Sequence, residues 1–218
     1  MFSGLRADID MISEKDPAAT GKIRSFFLYQ GVHALMFHRL CNFLYRHNLK
    51  FLSRLIALWA RFFTLIEIHP GAQIEKGVFI DHGAGLVIGE TAVVGKGCVL
   101  FHGATLGGTG NETGKRHPTL GKNVMVGAGA KVLGNIKIGD NALIAANAVV
   151  LKDVPAGATV VGIPGRVVRI NGVKVSENCN QVKTIEELKT ELELMKRKVE
   201  SMEESIDLMH DESVYTNN

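Results

Sequence analysis

A repeat with a period of six residues dominates this sequence. Branched or long aliphatic residues recur at every sixth position in three runs, over residues 68–80, 88–106 and 120–150. Two extra residues separate the first run from the second, and eight extra residues separate the second from the third. A period of six is neither helical nor the alternation of a simple amphipathic strand. It is typical of short strands joined by turns, three of which close one triangular coil of a solenoid.

A single coil of this kind cannot bury its own hydrophobic residues, whereas stacked coils share one continuous core. We therefore predict that the aliphatic residues point inward and that the small or β-branched residue four places further on fills a corner. The predicted inward positions are Ile68, Ile74, Ile80, Ile88, Val94, Leu100, Leu106, Leu120, Val126, Val132, Ile138, Ile144 and Val150. The predicted corner positions are Ala72, Val78, Ala84, Ala92, Cys98, Ala104, Val124, Ala130, Ile136, Ala142 and Ala148. A β-sandwich with chance spacing is the alternative, and the length of the repeat disfavours it.

The segments on either side of the repeat have helical patterns. The predicted fold class is α+β, with an N-terminal helical domain over residues 1–66, a β-helix over residues 67–175 and a C-terminal tail over residues 176–218. Within the leader, Asp16 before Pro17 favours a helix start, because Asp is a good N-cap and Pro suits the first helical position. The stretch from Gly162 to Val175 is expected to leave the solenoid as a strand that caps it.

The tail carries apolar residues at alternating spacings of three and four, which are the a and d positions of a coiled coil. We predict this coiled coil over about residues 185–209. In a parallel pair of helices, Glu191 would meet Lys196 and Lys198 would meet Glu203 on the neighbouring chain, so the charges favour the parallel arrangement. A single amphipathic helix packed on the body is the alternative. The a and d positions are Ile185, Leu188, Leu192, Met195, Val199, Met202, Ile206 and Met209.

Composition narrows the class of function. The net charge of +3 is too small to indicate binding to nucleic acid or to a membrane. The apolar stretch over residues 51–68 contains charged residues and is predicted to be a buried helix rather than a membrane span. Cys41, Cys98 and Cys179 are few and widely spaced, as expected for reduced thiols. We therefore expect a cytoplasmic protein.

The histidines give the best indication of chemistry. Of the eight, three lie in the helical leader, where packing or capping roles are expected. His82 is different because Asp81 precedes it and Glu90 follows shortly in FIDHGAGLVIGE. The eight-residue insertion lies in a glycine-rich, charged loop that contains Arg116 and His117. A loop of this kind on a regular solenoid tends to be functional, and the planar arginine fork suits a carboxylate.

Several motifs together resemble those of the serine O-acetyltransferases, which are hexapeptide-repeat acyltransferases. The resemblance covers roughly residues 5–175 and implies a left-handed β-helix, with acetyl-CoA as co-substrate and no permanently bound cofactor or metal. It is specific, because DHGAG and GKRHP occur together with the helical leader. The matching stretches are YQGVHALMFHR, EIHPGA, IDHGAGLVIGET, TLGGTG, GKRHP, GAGAKVLG and VVGIPGR.

The resemblance implies roles for the catalytic residues. His82 would be the general base that takes the proton from the serine hydroxyl, and the ordinary histidine pKa of about 6.5 suits this task near neutral pH. Glu67 stands where the family commonly has Asp, and its carboxylate would orient the imidazole. His117 would hydrogen-bond beside the reacting serine. No acyl-enzyme is implied, because no Cys or Ser lies beside a base in the pattern that a covalent nucleophile requires.

The resemblance also implies the residues that bind each substrate. Asp16 and Asp81 would hold the ammonium group of serine, and Arg116 together with His117 would hold its carboxylate. Backbone N–H groups near Gly108 would stabilise the oxyanion. Coenzyme A would lie in the groove between neighbouring subunits. The positions expected to contact it are Gly108, Thr109, Ala128, Ala146, Lys152 and Arg166.

The resemblance further implies a homotrimer with active sites between subunits and feedback inhibition by cysteine. Many relatives bind cysteine synthase through a terminal Ile, whereas this sequence ends in Asn218, so no such complex is expected. Three other functions stay open. One is an acetyltransferase acting on a different hydroxyl or amine. Another is a zinc enzyme like the γ-type carbonic anhydrases, with His82, His102 and His117 as candidate ligands. The third is a non-catalytic assembly module that acts through its tail.

Overall fold

The computed structural model of the chain describes residues 2–19, 21–110, 113–175 and 189–202. The chain divides into two compact units, Met1–Ser176 and Glu177–Asn218. The helical leader and the solenoid therefore belong to one unit. The predicted class, a helical region followed by a left-handed parallel β-helix, is confirmed.

Four helices precede the solenoid. They are α1 (Phe2–Lys15), α2 (Lys22–Leu28), α3 (Gln30–Arg46) and α4 (Lys50–Thr64). The expected helix start at Asp16 is wrong, because α1 ends just before this residue and α2 begins at Lys22. The Asp16 carboxylate instead accepts a hydrogen bond of 2.8 Å from the N–H of Ala18 in the turn between the two helices.

Short parallel strands form the three faces of the solenoid. Face 1 has five strands, face 2 has four, and face 3 has seven, of which the last two run antiparallel and close the solenoid. Face 1 consists of β1 (Glu67–Ile68), β4 (Val87–Ile88), β7 (Thr105–Gly107), β10 (Lys131–Leu133) and β13 (Val149–Val150). Face 2 consists of β2 (Gln73–Ile74), β5 (Val93–Val94), β8 (Thr119–Leu120) and β11 (Lys137–Ile138). Face 3 consists of β3 (Phe79–Asp81), β6 (Val99–Phe101), β9 (Met125–Val126), β12 (Leu143–Ile144), β14 (Ala158–Val161), β15 (Arg166–Ile170) and β16 (Val173–Lys174).

The inward positions of the six-residue repeat form the core as predicted. All of them are buried except Ile74, which is partly buried against the same core. One corner prediction is wrong, because Ala84 is exposed. The two-residue insertion after Ile80 moves Ala84 out of frame, and Leu86, with no exposed surface, fills the corner instead.

Helix α3 covers the open end of the first coil. Ala34 and Leu35 on its inner side are buried in the core of the solenoid. His38 Nε2 lies 3.2 Å from the carbonyl oxygen of Ala72, and the Asn42 amide donates to the same oxygen at 3.1 Å. Because a carbonyl oxygen only accepts, His38 carries its proton on Nε2. The helix is thereby fixed to the turn after β1.

Helix α4 is only partly buried. Ser53, Ala60 and Thr64 face inward, but large apolar residues cover the opposite side. The prediction of a buried helix is therefore wrong for this face. No helix among the described residues is long and apolar enough to cross a membrane. The exposed apolar residues of α4 are Phe51, Leu52, Leu55, Leu58, Trp59, Phe62 and Phe63.

In the second unit, residues 189–202 are helical. Leu192, Met195, Val199 and Met202, at predicted a and d positions, are all about half exposed in the single chain. The remaining a and d positions, together with Cys179 and the last six residues, lie outside the described residues. The coiled coil stays a prediction.

Candidate active site

His82 stands on the edge between faces 3 and 1. Its backbone adopts a left-handed conformation with φ of 52°, and its side chain is 80% exposed. The turn therefore directs the imidazole away from the solenoid. Nε2 lies 3.7 Å from a carboxylate oxygen of Asp81, the preceding residue on β3. We call the line of turns between faces 3 and 1 the His82 edge.

The helical leader supplies a second carboxylate to the His82 edge. The Tyr29 hydroxyl donates a short hydrogen bond to Asp16, and this bond is the main reason why the pKa of Asp16 is lowered. Tyr29 packs in one cluster with Phe79 of β3, the strand that leads to His82, and the charge of His82 contributes to the lowered pKa of Asp16. The pKa of Tyr29 rises to about 12, chiefly through its bond to Asp16 and more weakly through Asp81. Asp16 and Asp81, the carboxylates that the family resemblance assigns to the ammonium group, thus lie on the same edge as His82, and their role in binding serine stays a prediction.

Arg116 and His117 lie on a different edge, between faces 1 and 2. Arg116 Nη2 donates a hydrogen bond of 2.6 Å to Glu90, and the Tyr45 hydroxyl donates a bond of 3.0 Å to the other carboxylate oxygen. The bond from Tyr45 is the largest cause of the lowered pKa of Glu90. We call this line of turns the Arg116 edge.

The imidazole of His117 is buried and held in one orientation. The backbone N–H of Thr91 donates to Nδ1 at 3.2 Å, and the Thr91 hydroxyl lies 2.9 Å from the same nitrogen. Because Nδ1 accepts, the neutral ring carries its proton on Nε2. Burial lowers the pKa of His117, with a smaller contribution from the Arg116 charge, and both favour the neutral ring. His117 is therefore a fixed hydrogen-bond donor through Nε2.

Glu67 does not contact His82 in the single chain. It begins β1 on face 1, where its carboxylate pairs with Arg61 of α4 at 3.0 Å. Within the described residues, no hydrogen bond joins Glu67 to the imidazole.

The predicted coenzyme A residues divide between the two edges. Ala128 and Ala146 lie in turns between faces 3 and 1, stacked above the His82 turn. Gly108, Thr109 and Lys152 lie in turns between faces 1 and 2, on the same edge as Arg116. Arg166 begins β15 on face 3, where it pairs with Val161.

Sequence reasoning missed several partners of these residues. Tyr29 and Tyr45 were not singled out, although Tyr29 opens the motif YQGVHALMFHR. Thr91 ends the motif IDHGAGLVIGET, which signalled the region but not the role of the hydroxyl. Glu90 follows shortly after His82 in the sequence, but in the structure it lies on the Arg116 edge.

Comparison with known proteins identifies the family. Residues 117–152 match the family described as bacterial transferase hexapeptide (six repeats). The serine acetyltransferase of Synechocystis sp. is 54% identical over 176 residues, which are 81% of this chain and 71% of the relative. The serine acetyltransferase of Bacillus subtilis is 48% identical over 91% of this chain and 98% of its own length.

Solved structures agree with the sequence relatives. Neisseria gonorrhoeae serine acetyltransferase in complex with serine has a TM-score of 0.75 and 41% identity, over 77% of this chain and 69% of that one. A serine acetyltransferase in complex with cysteine has a TM-score of 0.76 and 40% identity, over 77% of this chain and 69% of that one. The Brucella abortus serine acetyltransferase in complex with coenzyme A has a TM-score of 0.75 and 42% identity, over 77% of this chain and 67% of that one. By both sequence and fold, the chain belongs to the serine acetyltransferase family.

Proposed function

We propose that this chain transfers the acetyl group of acetyl-CoA to the hydroxyl of L-serine, giving O-acetylserine and coenzyme A, the first step of cysteine synthesis from serine. The observation that carries this proposal is the exposed imidazole of His82 beside two carboxylates, Asp81 and Asp16. Such a group offers a base for the hydroxyl and anions for the ammonium of one small amino acid. Neither a different acceptor nor a zinc enzyme is favoured by the relatives, which are serine acetyltransferases.

His82 acts as the general base. The imidazole takes the proton of the serine hydroxyl as the serine oxygen forms its bond to the acetyl carbonyl carbon. Backbone N–H groups near Gly108 stabilise the oxyanion of the tetrahedral intermediate. The carbon–sulfur bond then breaks, and the imidazolium returns the proton to the coenzyme A thiolate. Glu67 is proposed to orient the imidazole, which requires it to exchange its present partner Arg61 for His82.

Serine is bound at both ends. Asp16 and Asp81 hold the ammonium group, because their carboxylates lie beside the base that must reach the hydroxyl. Arg116 binds the serine carboxylate, and the Nε2–H of His117 donates beside it. A planar guanidinium suits a carboxylate because it can donate two parallel hydrogen bonds.

Coenzyme A is proposed to lie where the two edges of neighbouring chains meet. Ala128 and Ala146 leave room beside the His82 edge because their side chains are small. Gly108 and Thr109 would contact the cofactor from the Arg116 edge, with Lys152 and Arg166 near its phosphates. A relative has been solved in complex with coenzyme A, which supports this co-substrate.

The division of the site between two edges supports a homotrimer. His82 and Arg116 lie on opposite edges of face 1, and one side of the coil takes one repeat of six residues, which spans roughly 20 Å at about 3.3 Å per extended residue. The hydroxyl and carboxylate of one serine are only two carbon atoms apart, so a single chain cannot hold both. A trimer would place the His82 edge of one chain against the Arg116 edge of the next. The tail over residues 185–209 would extend the trimer as a coiled coil.

Mixing experiments test this arrangement. At serine concentrations well below the wild-type KM, His82→Ala and Arg116→Ala trimers should each have little activity, whereas subunits dissociated and reassembled together should regain part of it. Light scattering should give three chains, or a multiple of three, for each particle. A monomer with full activity contradicts the shared site.

Cysteine is proposed to act as a feedback inhibitor. It shares the ammonium and carboxylate of serine and would occupy the same groups at Asp81 and Arg116. A relative has been solved in complex with cysteine. Inhibition should therefore be competitive with serine.

The activity itself is tested by thiol release from acetyl-CoA with a panel of acceptors. Serine should be the best acceptor, and the rate of thiol release with sugars and simple amines should be much lower. Turnover that prefers a sugar or an amine without a carboxylate overturns the proposed function.

A further inference from the structure

Glu90 lies between two hydrogen-bond donors that come from distant parts of the chain. One carboxylate oxygen accepts from Arg116 Nη2 at 2.6 Å, and the other accepts from the Tyr45 hydroxyl of α3 at 3.0 Å. The side chains of Arg116 and Glu90 are 30% and 32% exposed, so the pair is partly shielded from water. Glu90 therefore joins the helical leader to the Arg116 edge.

The rest of Arg116 is fixed by other contacts. Its backbone N–H donates to the Thr91 hydroxyl at 3.0 Å, and its stem and carbonyl pack beside Gly108. Among the described residues, Glu90 makes the only hydrogen bond to the guanidinium group itself. The backbone contacts thus fix the position of the Arg116 backbone, and Glu90 fixes the orientation of its guanidinium group.

We propose that Glu90, oriented by Tyr45, is a positioning residue that aims the guanidinium of Arg116 at the substrate carboxylate and thereby sets the affinity for serine. This inference rests on the proposed function, in which Arg116 binds that carboxylate. The contact from Glu90 uses Nη2, which leaves the remaining N–H groups of the guanidinium for the substrate. Tyr45 extends the role of the leader, which already supplies Asp16 and Tyr29 to the His82 edge.

Two effects of Glu90 oppose each other. Its negative charge offsets the positive charge of Arg116, which weakens attraction for an anion, whereas its hydrogen bond restricts a side chain with large rotamer freedom. Because both side chains are partly exposed, solvent screens the effect of the Glu90 charge on the substrate anion. A guanidinium that is no longer held in one orientation, by contrast, loses the geometry that a bidentate contact with a carboxylate requires. The positioning effect is therefore the larger one, and removal of Glu90 weakens serine binding.

The test compares Glu90→Ala with Glu90→Gln. In the alanine variant, serine KM should rise roughly tenfold, as expected when a charged hydrogen bond that orients a ligand group is lost. Glutamine keeps one acceptor oxygen for Arg116, so its serine KM should rise only about threefold. For both variants, kcat and the KM for acetyl-CoA should stay within about twofold, because an interaction equal in ground and transition states changes KM alone.

Glu75→Ala is the matched control. Glu75 also uses its carboxylate to join neighbouring coils, accepting from the N–H of Lys96 at 3.1 Å, but it lies away from Arg116. Its removal should leave serine KM unchanged. Tyr45→Phe removes only the hydroxyl that orients Glu90 and should raise serine KM about threefold, with the melting temperature near that of the wild type.

A double-mutant cycle separates this inference from the proposed function. If Glu90 acts through Arg116, Glu90→Gln should lower kcat/KM for serine in the wild type and have no further effect in the Arg116→Ala background. Equal effects in both backgrounds, or an unchanged or lower serine KM in both Glu90 variants, overturn the inference while the role of Arg116 stands. If Arg116→Ala alone leaves serine KM unchanged, the proposed carboxylate site fails, and the inference fails with it.

Discussion

The hydroxyl of Thr91 lies 2.9 Å from Nδ1 of His117, and together with the backbone N–H of Thr91 at 3.2 Å it leaves the ring proton on Nε2. The hydroxyl oxygen already accepts from the backbone N–H groups of Arg116 and His117, at 3.0 and 3.1 Å. Its own hydrogen is therefore free to point at Nδ1. A single threonine thus fixes both the backbone and the imidazole of the residues that would receive the serine carboxylate.

Replacing Thr91 tests this relationship. Thr91→Val keeps the shape of the side chain but leaves two backbone N–H groups without their acceptor and Nδ1 without one donor. We expect kcat/KM for serine to fall about tenfold or more and the melting temperature to fall as well. Thr91→Ser retains the hydroxyl and should stay close to the wild type. Nitrogen NMR of His117 should show protonation at Nε2 in all three proteins, because the backbone N–H of residue 91 still donates to Nδ1 in the valine variant.

The exposed imidazole of His82 yields a second prediction. His82→Ala should lower kcat by about 10²–10⁴-fold, the range typical for loss of a general base. Binding of acetyl-CoA should persist, because the residues proposed to hold the cofactor are others and His82 is proposed to meet only its sulfur. Calorimetry of acetyl-CoA binding to the variant, alongside turnover, checks both statements. A variant with a kcat near that of the wild type contradicts the assignment.

The space beside His117 gives a third prediction. A methyl group on Gly89 would overlap the imidazole ring of His117, so Gly89→Ala must displace the ring from Thr91. Serine turnover should fall at least about tenfold, as expected when a bound group is misplaced by a fraction of an ångström or more. Gly110→Ala is the control, because the structure leaves open space at that position. Equal activity of the two variants shows that the position of His117 does not matter for catalysis.

The solenoid was predictable from sequence because its periodicity is local. Each inward aliphatic such as Leu100 or Val126 repeats the environment of the one before it, so a frame of six residues specifies the strand, the corner and the core together. The error at Ala84 arose where an insertion broke that frame. Motifs also singled out His82 and Arg116 as candidates, because each lies in a short segment of unusual composition.

The pairings around these residues were not predictable. Tyr45 and Glu90 are 45 residues apart in sequence and meet only because α3 folds across the first coil. The assignment of Glu90 to the Arg116 edge depends on which turn it occupies, and composition carries no signal for this. The exposure of Trp59 and its neighbours on α4 also escaped prediction, since an apolar helix face has the same pattern whether it is covered within the chain or not.

His38 provides a prediction about pH and stability. Burial lowers its pKa to about 4, and the neighbouring Arg39 charge acts in the same direction, although the hydrogen bond to Ala72 opposes the shift. The unfolded chain has a histidine pKa of about 6.5. Above that pH the residue is neutral in both states, and its stabilising contacts are fully present. As the pH falls from about 6.5 to about 4, the unfolded state binds a proton that the folded state does not, so stability is lost.

The expected loss attributable to His38 is about 3 kcal/mol between pH 6.5 and pH 4, from the difference between the two pKa values. His38→Gln removes the titrating group and retains an amide that can donate to Ala72. Its free energy of unfolding should be lower than that of the wild type at pH 7.5, and the difference between the two proteins should narrow or reverse at pH 5. His69 and His117, whose pKa values are also lowered, titrate in both proteins and cancel in the comparison. His47→Gln, at the exposed end of α3, should follow the wild type across the same range, and a His38 variant that does so too contradicts the assignment.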